Sequence, residues 1–199
     1  DAFREFGLPE VIRTDNGTPF ATTGLFGLSK LSVLWLRLGI APERIEPAHP
    51  EQNGQHERMH LVLKQETTRP AGANILQQQE RFDRFVEEYN VERPHQGIDQ
   101  RRPAELYAPS PRPCPPAIPE PSYPMHDTSY CVGENGSVVM NRRHRFSLTV
   151  ALAGQRVGMR EVADGLWLVS FLDLQLGHYD CGTKKFKAGD ELVTEEQAA

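Results

Sequence analysis

The chain has 199 residues, 38% hydrophobic and 25% charged, which is typical of globular proteins and sufficient for one medium domain or two small ones. Its net charge of −5 argues against a protein that coats nucleic acid, so any such contact must come from local basic clusters. Charged residues interrupt every apolar stretch before the roughly 20 residues that a membrane span needs. With no leader pattern at residue 1, we expect no membrane association and a cytoplasmic location.

The first third of the chain predicts alternating helices and strands. Residues 1–7 resemble the end of an amphipathic helix, so we expect the chain to be the later portion of a longer protein. Residues 10–14 predict a short buried strand, followed by turn residues from Asp15 onward. Apolar residues at helical spacing over 28–38 predict a helix, and residues 40–45 could form another strand. These elements indicate an α/β fold.

Two further helices are predicted before residue 95. Residues 55–69 are amphipathic, with Glu57 in the first turns. Residues 75–90 have apolar side chains at helical spacing, which predicts a buried stripe made of Leu76, Phe82, Phe85, Val86 and Tyr89.

The second half of the chain changes in character. Nine prolines lie between positions 103 and 124, a density that favours extended conformations and indicates an interdomain linker. Beyond it, short runs rich in β-forming residues are separated by glycine-containing turns, which predicts a small β-barrel. These runs cover residues 129–132, 137–140, 155–161, 166–171 and 176–180.

Asp15 and Glu57 are the candidate catalytic residues. Two divalent ions commonly drive phosphoryl transfer on DNA, and Mg²⁺ prefers carboxylate oxygens. The end of a buried strand and the face of a packed helix both hold a carboxylate in a fixed position. Asp15 and Glu57 are predicted at these two kinds of position.

Four segments carry a resemblance to a known family: EVIRTDNG at 10–17, NGQHER at 53–58, YNVERPHQ at 89–96 and RPAELY at 102–107. Together they resemble the retroviral-integrase-like core of bacterial insertion-sequence transposases, whose Asp, Asp, Glu triad lies on a ribonuclease-H-like fold. In that resemblance Asp15 is the second aspartate and Glu57 the glutamate. The motif residues around them are Asn16, Gly17, Asn53, Gly54, Arg93, Pro94 and His95.

The resemblance implies an organisation for the whole chain. Its first part would be a partial ribonuclease-H-like core, followed by a linker, a small Src-homology-3-like β-barrel that binds DNA, and an acidic tail. These regions correspond to residues 1–108, 109–125, 126–188 and 189–199.

The resemblance also implies chemistry and partners. Family members cleave phosphodiesters and transfer strands in DNA transposition and integration, so we expect DNA as the partner and homo-oligomers in the full-length family. Mg²⁺ or Mn²⁺ is expected only in a complete core. No segment here corresponds to the strand with the first aspartate, and Asp1 is a poor substitute, so we expect this chain alone to be inactive. A non-catalytic remnant that binds DNA or pairs with a transposase is the alternative.

Residues 56–60 read H-E-R-M-H, which matches the H-E-x-x-H pattern of zinc metalloproteases. The polar residues around the pattern and the lack of a third ligand motif favour the transposase interpretation. Asp15 has a simpler alternative as well, because Asp-Asn-Gly is a common turn triplet. Glu57 could likewise only complement the dipole of its helix.

Basic residues at two places are candidates for contacts with DNA. Arg58 and Lys64 lie on the helix of Glu57, and Lys64, seven residues on, shares its face. Arg142, Arg143 and Arg145 form the strongest basic cluster, in a region where acidic residues are rare. We predict that this cluster is the DNA-binding patch of the barrel, with a solvated hairpin face as the alternative.

Overall fold

A computed structural model of the chain describes residues 2–15, 17–20, 22, 24–46 and 54–189. Asp1, Asn16, Asn53 and nearly all of the predicted acidic tail lie outside the described residues. The helices are α1 (Ala2–Phe6), α2 (Lys30–Arg37), α3 (Gly54–Thr68), α4 (Ile75–Glu87) and α5 (Pro103–Leu106). The strands are β1 (Val11–Thr14), β2 (Ala41–Arg44), β3 (Thr128–Cys131), β4 (Ser137–Met140), β5 (His144–Ser147), β6 (Arg156–Ala163), β7 (Leu166–Phe171), β8 (Leu174–Asp180) and β9 (Lys185–Ala188).

The chain divides into two compact units, each assembled from two separate stretches. The first unit contains the described parts of residues 1–9 and 45–114. The second contains the described parts of residues 10–44 and 115–199. Each unit therefore combines an early segment of the chain with a later one.

Helices dominate the first unit. α3 packs against α4, whose N-terminus is capped by the Asn74 side chain accepting a hydrogen bond from the Gln77 N–H. A single turn of π-helix, Glu88–Glu92, continues α4. Of the apolar stripe predicted on α4 only Phe85 is buried, whereas Leu76 is 81% exposed, so the predicted stripe was wrong at that end of the helix.

The segment after α1 is tied to residues far along the chain. The Leu8 N–H donates to the Arg112 carbonyl at 2.7 Å, and the Ser110 hydroxyl donates to the Leu8 carbonyl at 2.6 Å. The Phe6 ring meets the Tyr107 ring edge-on at a centroid distance of 6.3 Å. These contacts explain why the first nine residues belong to the first unit.

The early part of the second unit is a strand, a helix and a second strand. β1 and β2 pair in parallel, and α2 provides the crossover that a parallel pair requires. Ser29 begins α2 through a capping box with Ser32. Leu28 and Val33 are buried in the same apolar core as the later strands, which places this segment in the second unit.

The later part of the second unit is rich in β-sheet. β3, β6, β7, β8 and β9 form an antiparallel sheet in that order, and β4 and β5 form a separate hairpin. Apolar side chains of the hairpin and the sheet share one core, which includes Val138, Phe146, Val157, Phe171 and Tyr179. Hydrogen bonds do not close these described strands into a barrel. Among the described residues, none of the helices has the length and apolar character to cross a bilayer.

Burial differs sharply between two valines of the sheet-rich region. Val169 on β7 is fully buried and Val139 on β4 is 42% exposed. We expect Val169→Ala to lower the free energy of unfolding by about 2 kcal/mol, because two buried methyl groups are lost and a cavity remains. Urea denaturation followed by tryptophan fluorescence measures the change. Val139→Ala is the matched control and should lower the free energy of unfolding by less than about 0.5 kcal/mol. Equal losses of unfolding free energy in the two variants would contradict the burial of Val169 in the core.

Candidate metal and nucleic-acid site

Asp15 follows β1 directly and its side chain is exposed. One carboxylate oxygen, Oδ1, accepts a hydrogen bond of 2.9 Å from the Gly17 N–H. This is the Asx-turn arrangement, and it fixes the carboxylate at the end of the strand. An ionised carboxylate has further lone pairs for a cation or a donor, so the turn and a role in metal binding are compatible.

Glu57 lies in the first turn of α3 and is exposed, as are Arg58 and Lys64 further along the helix. The Glu57 carboxylate makes no hydrogen bond or ion pair with any residue that the structure describes. Position 64 lies two helical turns after position 57, so Glu57 and Lys64 are on the same face of α3. This helix therefore presents an acid and two cations to solvent.

The two carboxylates lie in different units, Asp15 in the second and Glu57 in the first. Carboxylate oxygens are suitable ligands for Mg²⁺ or Mn²⁺, and both side chains are exposed, so each fits the role of a ligand. Within the described ranges, no three His, Cys, Asp or Glu side chains come together as a metal site. Asp15 is thus described within the second unit, and Glu57 within the first.

The two histidines of the H-E-x-x-H pattern lie on successive turns of α3. The His56 and His60 rings are in contact, with centroids 4.1 Å apart, and both residues are exposed. No third ligand joins them among the residues described. A catalytic zinc ion takes three protein ligands, so this geometry gives no support to the metalloprotease interpretation.

Arg93 connects the C-terminal half of α3 to the turn that follows α4. Its Nη2 donates to the Glu66 carboxylate, at 3.0 Å and 3.2 Å, and to Glu88 at 2.9 Å. The hydrogen bond to Glu66 is the main cause of a raised pKa of Arg93, against the opposing effect of burial. The guanidinium also lies 5.9 Å from the centre of the Tyr89 ring. Sequence reasoning selected Arg93 from its motif but did not identify its two acidic partners.

His95 closes the turn after Arg93. Its Nε2 is 2.9 Å from the Tyr89 carbonyl, and its ring meets the Tyr89 ring at a centroid distance of 4.4 Å. The backbone N–H of His95 donates to the Arg101 carbonyl. Pro94, between Arg93 and His95, is exposed, as expected for a residue that only redirects the backbone. The motif residues therefore shape a turn next to α3.

A cavity of about 570 Å³ lies beside this turn. No sequence pattern predicts this cavity, although two of its lining residues, Tyr89 and Tyr107, belong to the segments that carry the family resemblance. Its lining residues are Arg58, Tyr89, His95, Gln96, Gly97, Ile98, Pro103, Leu106 and Tyr107.

The basic cluster lies on the hairpin of β4 and β5. Arg142 is in the loop between the strands with a positive φ of 59°, and Arg143 ends that loop. Arg142, Arg143 and Arg145 are all exposed. His144 points the other way, because its Nδ1 is 3.1 Å from the buried Tyr179 hydroxyl. Strand alternation thus separates Arg145 from the core, whereas Arg142 and Arg143 lie in the loop.

The Arg93 contacts allow a test of the link between α3 and the turn. We expect Arg93→Ala to lower the free energy of unfolding of the first unit by about 1 kcal/mol, because two carboxylates lose a shared cation. Hydrogen exchange at the α3 amides near Glu66 should speed up correspondingly. Arg84→Ala is the control, since the described ion pair of Arg84 is with Glu80 and both side chains are more than 70% exposed. Equal changes in the free energy of unfolding and in hydrogen exchange would show that the Arg93 contacts stabilise the unit no more than an exposed ion pair does.

A protein-family model matches the central part of the chain. Residues 38–103 match the family model described as Integrase core domain. The matched stretch contains α3 with Glu57 and the turn with Arg93 and His95, and it ends before the sheet-rich region. Asp15 precedes it. An integrase core domain indicates a function of the transposase or integrase type, with DNA as the partner. The resemblance found in the sequence is confirmed over residues 38–103, where the match supports an integrase- or transposase-like core.

Proposed function

We propose that this chain takes part in DNA transposition or DNA integration, with Asp15 and Glu57 as the second aspartate and the glutamate of the catalytic triad. The observation that carries the proposal is the integrase core match, which contains Glu57 at the exposed start of α3. Asp15 is proposed from its place at the end of β1 and from its separation of 42 positions from Glu57. Both carboxylates are exposed and thus open to a ligand from solvent.

Asp15 and Glu57 would hold Mg²⁺ or Mn²⁺ in a complete catalytic core. A divalent ion bound there would activate the attacking oxygen and stabilise the leaving oxygen at a phosphodiester bond. Asp15 is fixed for this role by its hydrogen bond to Gly17, and Glu57 by the packing of α3 against α4. Arg58 and Lys64 would contact the phosphates on either side of the reacting bond.

The sheet-rich region would supply a second DNA contact. We propose that residues 126–188 act as a Src-homology-3-like domain, in which the β4 and β5 hairpin presents Arg142, Arg143 and Arg145 to the DNA backbone. Three exposed cations on a hydrogen-bonded hairpin suit phosphate contacts, which position a protein without reading sequence. Residues 1–108 would provide the core, residues 109–125 the linker and residues 189–199 the acidic tail. Homo-oligomers are expected in the full-length family.

A non-catalytic role is the second candidate. A protein that only binds DNA or pairs with a transposase would need the arginine cluster but not the two carboxylates. The separation of Asp15 and Glu57 into different units keeps this candidate open.

Carboxylate substitutions distinguish the two candidates. Because the chain alone is expected to be inactive, nicking is assayed in a complete core that also contains the segment with the first aspartate. We expect that core to nick supercoiled plasmid DNA in the presence of Mn²⁺. Asp15→Asn and Glu57→Gln should each reduce the nicking rate at least about 100-fold, because each removes an anionic ligand of the metal. Gel electrophoresis of the relaxed and supercoiled forms measures the rate.

The matched controls are Asp173→Asn and Glu87→Gln, which change exposed acids in the same two units. Neither control should alter nicking, and all four variants should bind DNA as the wild type does. DNA binding with no nicking above that of Glu57→Gln would favour the non-catalytic candidate. Nicking that persists in both carboxylate variants would remove Asp15 and Glu57 from the proposal.

The arginine cluster has its own test. We expect the double substitution Arg142→Gln and Arg143→Gln to reduce the salt dependence of DNA binding, lowering the slope of log K against log salt concentration by about 2, since two phosphate contacts are lost. Fluorescence anisotropy of a labelled duplex at several salt concentrations gives the slope. Arg4→Gln with Arg84→Gln is the matched control of equal charge. An unchanged slope in the hairpin variant would show that the cluster is only a solvated face.

A further inference from the structure

The cavity beside the turn of residues 95–98 has walls of two chemical kinds. Arg58 and Gln96 bring polar groups, and Ile98, Pro103 and Leu106 bring apolar surface. Two tyrosine rings, Tyr89 and Tyr107, complete the lining. A volume of about 570 Å³ is within the range of sites that accept small ligands. All the lining residues belong to the first unit.

Arg58 gives the cavity its charge. It follows Glu57 directly, is exposed, and makes no ion pair with any described residue. No acidic side chain is among the described residues that line the cavity. A planar guanidinium that makes no ion pair with the described residues is suited to binding a phosphate through paired hydrogen bonds.

The tyrosines give the cavity a flat surface. Tyr107 is 56% exposed, and its one ring contact among the described residues is the edge-on contact with Phe6, which leaves ring surface accessible. The Tyr89 ring contacts the rings of Phe85 and His95, at centroid distances of 5.2 Å and 4.4 Å. Accessible aromatic rings bind the faces of nucleobases, because every base has a π-face that can stack.

We propose that this cavity binds one unpaired nucleotide of the DNA strand, with its base on the ring of Tyr107 and its phosphate at Arg58. A cation beside aromatic and apolar walls selects a ligand that is both anionic and flat. Arg58 directly follows Glu57 on α3, so the cavity and the proposed metal ligand belong to neighbouring positions of one helix. The inference rests on the proposed function and specifies the form of DNA that the core binds.

The test compares two DNA ligands that differ in one base. The full chain is titrated with two labelled duplexes, each carrying a single overhanging 3′ nucleotide, which is normal in one and abasic in the other. We expect the normal overhang to bind about tenfold more tightly, the effect of stacking one base on an aromatic side chain. Tyr107→Leu should abolish the difference and Tyr107→Phe should retain it. Arg58→Gln should weaken binding of the overhang more than that of a blunt duplex.

Each other outcome has a distinct meaning. Equal affinity for the two overhangs, with duplex binding intact, would overturn the cavity assignment and leave the proposed function standing. Failure to bind any DNA would overturn both. Displacement of the overhang by free deoxyadenosine monophosphate at equal concentration would show a mononucleotide site and overturn the assignment to a DNA strand. Thermal unfolding of Tyr107→Leu and Tyr107→Phe confirms that both variants remain folded.

Discussion

The hydrogen-bonded contact of Arg93 with Glu66 and Glu88 links α3 to the turn after α4, next to the residues that line the cavity. Glu66 lies on α3, and Glu88 begins the π-helical turn after α4, so one guanidinium joins the two helical segments. A planar group with several donors can satisfy two carboxylates together, which a lysine ammonium does with less directional control. The stretch that follows Arg93 then turns at His95 and forms one wall of the cavity.

The two ends of helix α3 have different roles. Near its C-terminal end, α3 is fixed by Arg93 and by the buried Thr67. Near its N-terminal end, Glu57 and Arg58 face solvent with no partner among the described residues. A metal or DNA ligand must replace the water around such groups, so exposure is a requirement of the proposed site. Rigidity at one end of α3 thus allows exposed, positioned groups at the other.

In the second unit, strand alternation separates core side chains from exposed ones on β5. His144 and Phe146 contact the buried Tyr179, whereas Arg145 between them faces outward. The hairpin therefore contributes to the core and carries the basic cluster at the same time. The α2 segment adds Leu28 and Val33 to that core, so residues from early in the chain help to stabilise the sheet-rich region.

The sequence by itself determined the local elements and the family. Apolar periodicity located α3, α4 and most strands to within a few residues, because each pattern depends only on neighbouring side chains. β5 and β9 were not predicted, since the segments HRFS and KFKA are only four residues long and each contains a single large apolar side chain.

Only the tertiary structure decided which elements share a unit and which faces are buried. Leu76 satisfies the helical pattern yet is exposed, and Leu28 is buried against strands more than 100 residues away. The pairing of Arg93 with Glu66, 27 residues earlier, and the cavity that Tyr107 lines also join separate segments of the chain. Burial and ion pairing arise between segments distant in sequence, and no local pattern encodes which segments will meet.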